Sequence, residues 1–115
     1  MMKRVLVKRY LAAAAFLVSL SAVGQATADD QPVAPTNEEM VAAGSELYAM
    51  ACAACHGERL RSTGAAFDLL QLGPEERLRF DQSVLGGKGE MPAWKDKLTA
   101  GEIDAIWAYI RDKAG

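Results

Sequence analysis

The residues of this chain best suited to chemistry lie in one short stretch, "YAMACAACHGERLR", residues 48–61. It contains Cys52, Cys55 and His56, which are both cysteines and the single histidine of the 115-residue sequence. Cys-x-x-Cys followed directly by His can serve three kinds of chemistry. A redox-active disulfide of thioredoxin type needs the pair at the start of a helix that follows a strand, where the helix dipole lowers one thiol pKa. Here the motif closes an apolar helical pattern instead, and no βαβ pattern surrounds it. A structural zinc site needs four ligands, usually as two separated pairs, and the chain offers no third cysteine and no second histidine. Covalent haem attachment fits. Cysteines three apart on a helical turn share one face, so both sulfurs can reach the two vinyl groups along one porphyrin edge, and the histidine that follows is directed at the iron.

Because His56 is the sole histidine, a second axial ligand must be of another type. Beyond residue 28 the methionines are Met40, Met50 and Met91. Met50 stands two residues before Cys52 and is tied to the proximal side. Met40 falls on an apolar helical stripe, where methionine usually packs. Met91 is 35 residues beyond His56, far enough to cross to the distal face, and Pro92 stiffens the loop that presents its sulfur. Met91 is the favoured distal ligand, Met40 the substitute, and plain core packing the alternative role for Met91. A soft, neutral thioether favours ferrous iron and raises the potential, and a full axial set leaves no site for oxygen or substrate. One-electron transfer is the function expected. A small haem enzyme or a gas sensor would need an open or displaceable distal position.

The elements that must position these groups begin after a leader. In "MMKRVLVKRYLAAAAFLVSLSAVGQATADD", Lys3, Arg4, Lys8 and Arg9 precede an apolar run from Tyr10 to Val23 and then small residues ending at Ala28. This is the three-part pattern of a secretory signal peptide over residues 1–28; the run is shorter than the roughly 20 residues of a membrane span, so an uncleaved anchor is the lesser alternative. Export to a bacterial periplasm is expected, with no stable membrane insertion after cleavage. Removal of 28 residues leaves 87, one domain with a small core that calls for extra support. Nine basic residues (13 less the four in the leader) then face 15 acidic ones, a net charge near −6. Such a surface excludes nucleic acid as a partner, since phosphates select basic surfaces.

Residues 29–35, "DDQPVAP", read as a flexible leader and 36–115 as the domain. Thr36 and Glu39 have capping-box spacing, and Met40, Ala43, Leu47 and Met50 fall at helical intervals, so a first helix runs into the cysteine motif. "GPEERLRFDQSVLGG" predicts a second helix, with Pro74 at its first position, Glu75 and Glu76 in its first turn, and Gly86 and Gly87 at its end. "GKGEMPAW" is irregular, because Pro92 lacks an amide proton and pushes Met91 out of the helical region. Thr99 and Glu102 form another capping box, and Ile103, Ile106, Trp107 and Ile110 a stripe, which predicts a C-terminal amphipathic helix. The class is all-α, and the long loops are segments that wrap the porphyrin.

These residues resemble the small class I cytochromes c across nearly all of 36–115. Gly44 and Tyr48, eight and four residues before Cys52, look like that family's N-terminal helix pair, and "IWAYI", with Ile106 and Tyr109, like the C-terminal helix that crosses there. The resemblance implies the cytochrome c fold, with helices and loops around one covalent haem c and the terminal helices crossing at the glycine. "FDLLQLGPEERLRFDQSVLGGKGEMPAW" is similar to periplasmic cytochromes that accept electrons from pyrroloquinoline-quinone (PQQ) alcohol or methanol dehydrogenases. This implies such a dehydrogenase as donor and another cytochrome or a terminal oxidase as acceptor; a general respiratory shuttle is the alternative, and a monomer is expected. Arg59, Arg61, Lys88, Lys95 and Lys97 flank the haem-binding segments as docking or propionate-pairing candidates, against a plain role as solvated charge. Trp94 either covers the haem edge or fills core.

Overall fold

Two capping boxes set the two long helices, as their sequence spacing predicts. In the computed structural model, helix α1 spans Asn37–Ala51: the Thr36 hydroxyl accepts from the Glu39 N–H at 3.2 Å, and the Glu39 carboxylate accepts from the Thr36 N–H at 2.7 Å. The last helix, Ala100–Ala114, repeats the device with Thr99 and Glu102 at the same two distances. Each box pairs two amides that the helix itself leaves without partners. The structure describes Gly24 and residues 32–115, and Val33–Gly115 form one compact unit. The signal peptide expected over 1–28, Gly24 aside, and the first residues of the 29–35 leader lie outside the described residues.

Between the long helices the chain makes short elements. A break at Cys52 (φ −118°) separates α1 from α2, Ala53–His56. Turns of 3₁₀ type follow at Glu58–Leu60, Leu69–Gln71 and Pro74–Glu76. The last opens into α3, Arg77–Gly86, so the helix predicted from Pro74 begins with one tighter turn, closed by the Glu76 N–H on the Gly73 carbonyl. The C-terminal helix is α4. Among the described residues there is no strand, only an isolated bridge between Lys88 and Met91. The mostly helical architecture predicted from the sequence is the one observed.

The α1–α4 crossing forms the centre of the core. Tyr48, Ile106 and Ile110 are almost fully buried, joined by Leu60, Leu72, Phe80, Val84, Ile103 and Tyr109 from every segment. Gly44 is buried where the helices meet, and a Cβ there would overlap the Ala105 carbonyl and press on the Tyr109 side chain. Only glycine lets the two backbones approach so closely. The Tyr48 and Tyr109 rings pack beside this contact, 5.5 Å apart between centroids. The stripe expected on α1 is displaced: Ala43 is exposed and Met50 is 78% exposed, while the buried residues are Gly44 and Tyr48, flanked by Val41 and Leu47. The reason is steric, since α4 seats in the notch that Gly44 provides. On α4 the predicted stripe is buried except for Trp107, which is half-buried against Phe80 at 5.1 Å.

Candidate functional site

The motif occupies a single turn. Cys52 closes α1 with its N–H on the Tyr48 carbonyl, and its own carbonyl accepts from both the Cys55 N–H (3.2 Å) and the His56 N–H (2.9 Å). That turn is anchored to the core from below, since the buried Tyr48 hydroxyl donates to the Gly57 carbonyl at 2.7 Å. Burial and the neighbouring thiol and phenol groups push the Tyr48 phenol up to about 12. Burial, then the adjacent Cys55, pushes the Cys52 thiol up to about 11. A redox dithiol works through a thiolate of lowered pKa; Cys52 departs in the opposite direction, in keeping with the sequence argument against a thioredoxin-type site.

The His56 ring is held by a group that no side chain announces. Its Nδ1 lies 3.0 Å from the Phe67 carbonyl oxygen. A carbonyl only accepts, so Nδ1 must carry the proton, and the neutral ring keeps its Nε2 lone pair for a metal. A donor bond of this kind fixes ring orientation and raises the basicity of the other nitrogen.

Met91 is placed by a narrow hairpin. Its N–H donates to the Lys88 carbonyl and its carbonyl accepts from the Lys88 N–H, both at 3.0 Å. Gly87, with φ 74°, precedes this turn, and a Cβ there would stand 2.7 Å from the Met91 carbonyl oxygen. The segment is tied to α3 by the Trp94 N–H on the Val84 carbonyl at 2.8 Å. On the opposite flank Arg111 of α4 donates to the Leu72 carbonyl and holds the Leu69–Gln71 turn against the core.

One cavity of about 510 Å³ receives all four predicted groups: Cys52, Cys55, His56 and Met91 all line it. Its remaining walls are mostly apolar, with Phe80 and Val84 from α3, Ile106 and Ile110 from α4, Leu72 and Trp94. Two thiols and an imidazole on one turn, a thioether from a separate segment and apolar walls are the donor set and surroundings that a covalently held haem requires. Of the basic residues singled out in the sequence, Lys88 lines this cavity, whereas Arg59, Arg61, Lys95 and Lys97 are exposed outside it. Arg79, absent from that set, does line it. Met40 is half-buried on α1 and does not.

Comparison with known proteins agrees with this geometry. Residues 39–110 match the family described as cytochrome c oxidase, cbb3-type, subunit III. The chain is 35% identical over 83 residues to cytochrome c6 of Cladophora glomerata, covering 66% of this chain and 91% of that protein. It is 36% identical over 86 residues to quinohemoprotein alcohol dehydrogenase ADH IIB of Pseudomonas putida, which is 72% of this chain and 12% of that one. The solved structure of the related ADHIIG from Pseudomonas putida HK5 superposes with a TM-score of 0.63 at 32% identity, again over 72% of this chain and 12% of the other. The chain thus spans nearly the whole of a cytochrome c6 and about an eighth of the length of the dehydrogenases.

Proposed function

The chain belongs to the cytochrome c family, whose members carry covalently attached haem c and transfer electrons, and on that premise we propose that it is a one-electron carrier with His56 and Met91 as axial ligands. Cys52 and Cys55 stand in the family's Cys-x-x-Cys-His position and form the two thioether links. When bound, the haem supplies a one-electron ferric/ferrous couple. The chain's own residues do the rest. Phe67 orients the imidazole of His56, the Lys88–Met91 hairpin presents the thioether, and the walls from α3 and α4 exclude water. With both axial positions filled by protein no site remains for a substrate, so the chain acts as a carrier and not as an enzyme. The observation supporting this reading is the convergence of the four donor residues on one apolar cavity.

Spectroscopy tests it. The ferric protein is expected to be low-spin with a weak near-infrared sulfur-to-iron band; a high-spin spectrum with ready carbon monoxide binding would favour the enzyme or sensor reading. Met91→Ala is expected to keep covalent haem, lose that band and lower the reduction potential. An unchanged spectrum would move the assignment to Met40.

For location and partner we infer a periplasmic protein, exported by the 1–28 segment, that takes electrons from a PQQ-dependent alcohol dehydrogenase and delivers them to another cytochrome or a terminal oxidase. The support is the similarity to the alcohol dehydrogenases of Pseudomonas putida, in which the matching part is a small share of a longer chain. A second reading, a general shuttle between a respiratory complex and an oxidase, is favoured by the near-complete coverage of a cytochrome c6. Stopped-flow reduction of the oxidised protein by a reduced alcohol dehydrogenase from the same organism separates them. Reduction no faster than with an unrelated cytochrome removes the dehydrogenase and leaves the general shuttle. The acidic surface should make turnover with the true donor depend on salt.

A further inference from the structure

The carbonyl that orients His56 belongs to a segment with little hold of its own. Among the described residues, none of the backbone amides from Ser62 to Phe67 donates to another backbone group in the turns and loops; Gly64 reaches only the Ser62 hydroxyl. Phe67 is 42% exposed and stands outside the buried core cluster, so burial does not fix it either. Its ring instead lies under Arg79 of α3, whose guanidinium carbon is 4.8 Å from the ring centroid. Arg79 is held in turn by Glu76 at 2.6 Å, and the other oxygen of the same carboxylate accepts from the Gly73 N–H at 2.8 Å. Glu76 therefore ties the guanidinium to the start of α3, and the guanidinium ties Phe67 to both.

We propose that Arg79 is a positioning residue for the axial histidine, acting through the Phe67 ring to hold the carbonyl that accepts the His56 Nδ1 proton. The side chain lines the cavity, but its effect on His56 passes through the loop: a tighter loop gives a steadier Nδ1–H···O bond, a more basic Nε2 and better-stabilised ferric iron. The inference rests on His56 being the iron's ligand.

The test follows exchange of the His56 ring N–H in the haem-loaded ferrous protein by NMR, together with the reduction potential. Cation–π contacts at exposed sites are worth enough that Arg79→Met should speed this exchange about two- to five-fold. Phe67→Leu, which leaves the carbonyl and every charge in place, should speed it similarly and raise the potential. The double variant should exchange no faster than either single one, and Arg79→Lys, which keeps a cation over the ring, should stay close to the unsubstituted protein. Amide exchange at Ile106 and Ile110 reports whether any change is local. Unchanged ring exchange in both single variants, or effects that multiply in the double one, would overturn the role of Arg79. A His56 ring lacking the large ring-current shifts of a haem ligand would overturn the axial assignment as well, so the two failures are told apart.

Discussion

The α1–α4 crossing and the cavity-lining segments, residues 57–72 and 87–98, are held together by different physics. At the crossing the contact is between backbones and buried rings. Gly44 lies against Ala105, and Tyr48, Ile106 and Ile110 are at most 1% exposed, a degree of burial worth about 1.5–3 kcal/mol for each large side chain. Around the cavity the groups that matter are placed by a few polar bonds: the His56 ring by one carbonyl and Met91 by the paired backbone bonds of one two-residue turn. The crossing is closed by the chain's own atoms. The cavity segments enclose a space that the chain's own side chains do not fill, and their order depends on what fills it. Removing the cofactor should therefore harm the two regions unequally.

The largest expected effect follows directly. Cys52→Ala combined with Cys55→Ala should abolish attached haem, seen as loss of haem staining on a denaturing gel, and with it cooperative folding. Amide protection is expected to disappear first from 57–72 and 87–98, with residual helicity confined to α1 and α4. Native-like protection of both loops in the doubly substituted chain would erase the distinction between the regions.

Next in size is a blow to the scaffold itself. Gly44→Val places a branched side chain where the Ala105 carbonyl already stands. Overpacking of this kind costs about 1–3 kcal/mol, and the upper end is expected because the obstruction is backbone that cannot rotate away. Gly86→Ala is the matching control, since a Cβ there meets nothing within 4 Å and alanine favours the helix. Chemical denaturation of the two variants should give a large loss for the first and no loss, or a small gain, for the second.

Tyr48 joins the regions, with its ring in the crossing and its hydroxyl on Gly57. Burial pushes its phenol from the ordinary 10.0 up to about 12 in the folded chain. A raised acid pKa means that the folded state keeps the proton while the unfolded state releases it. This contribution is complete below pH 10 and is lost as pH rises from 10 to about 12, on the order of 1–3 kcal/mol in all. Tyr48→Phe should flatten that alkaline slope in a pH series of denaturant melts. It should also cost about 1–3 kcal/mol at neutral pH by leaving the Gly57 carbonyl unpaired.

The same division explains which features were legible in the sequence. The capping boxes, Pro74 at the head of its helix, the Cys-x-x-Cys-His turn and the Met91-Pro92 loop are local. Each needs residues a few positions apart, and their types state the chemistry. The buried face of α1 is not legible in this way, because its apolar residues at 3.6-residue spacing are compatible with two adjacent faces. The choice between them is made by the partner helix entering the notch at Gly44, which no hydrophobic pattern records. The Phe67 carbonyl was invisible for a simpler reason: every residue has one, and only the fold decides which meets an imidazole. Arg79 carries no local signal either: it lies on α3, away from the haem-flanking segments in sequence, and joins the cavity only once α3 is docked.

The smallest expected effect separates the regions by acid. Glu39 is an exposed capping carboxylate and Glu76 a half-buried one, and the pKa of each lies below the ordinary 4.5. The main cause in each is a backbone amide donor, from Thr36 and Gly73 respectively, and for Glu76 the Arg79 guanidinium adds to it. A depressed carboxylate pKa contributes stability that is present above the unfolded value and is lost as pH falls through the folded one, so both contributions fade below about pH 4.5. Their consequences differ by place. Protonating Glu39 frees only the first turn of α1, which packs little against the cavity, whereas protonating Glu76 releases Gly73 and Arg79 together. Glu39→Gln should therefore leave the haem spectrum at pH 4 like that of the unsubstituted protein and change only amide exchange near Thr36. Glu76→Gln should already show, at neutral pH, the faster loop exchange that the unsubstituted protein shows only in acid. Equal behaviour of the two variants around the cavity would mean that the start of α3 is as independent of the site as the start of α1.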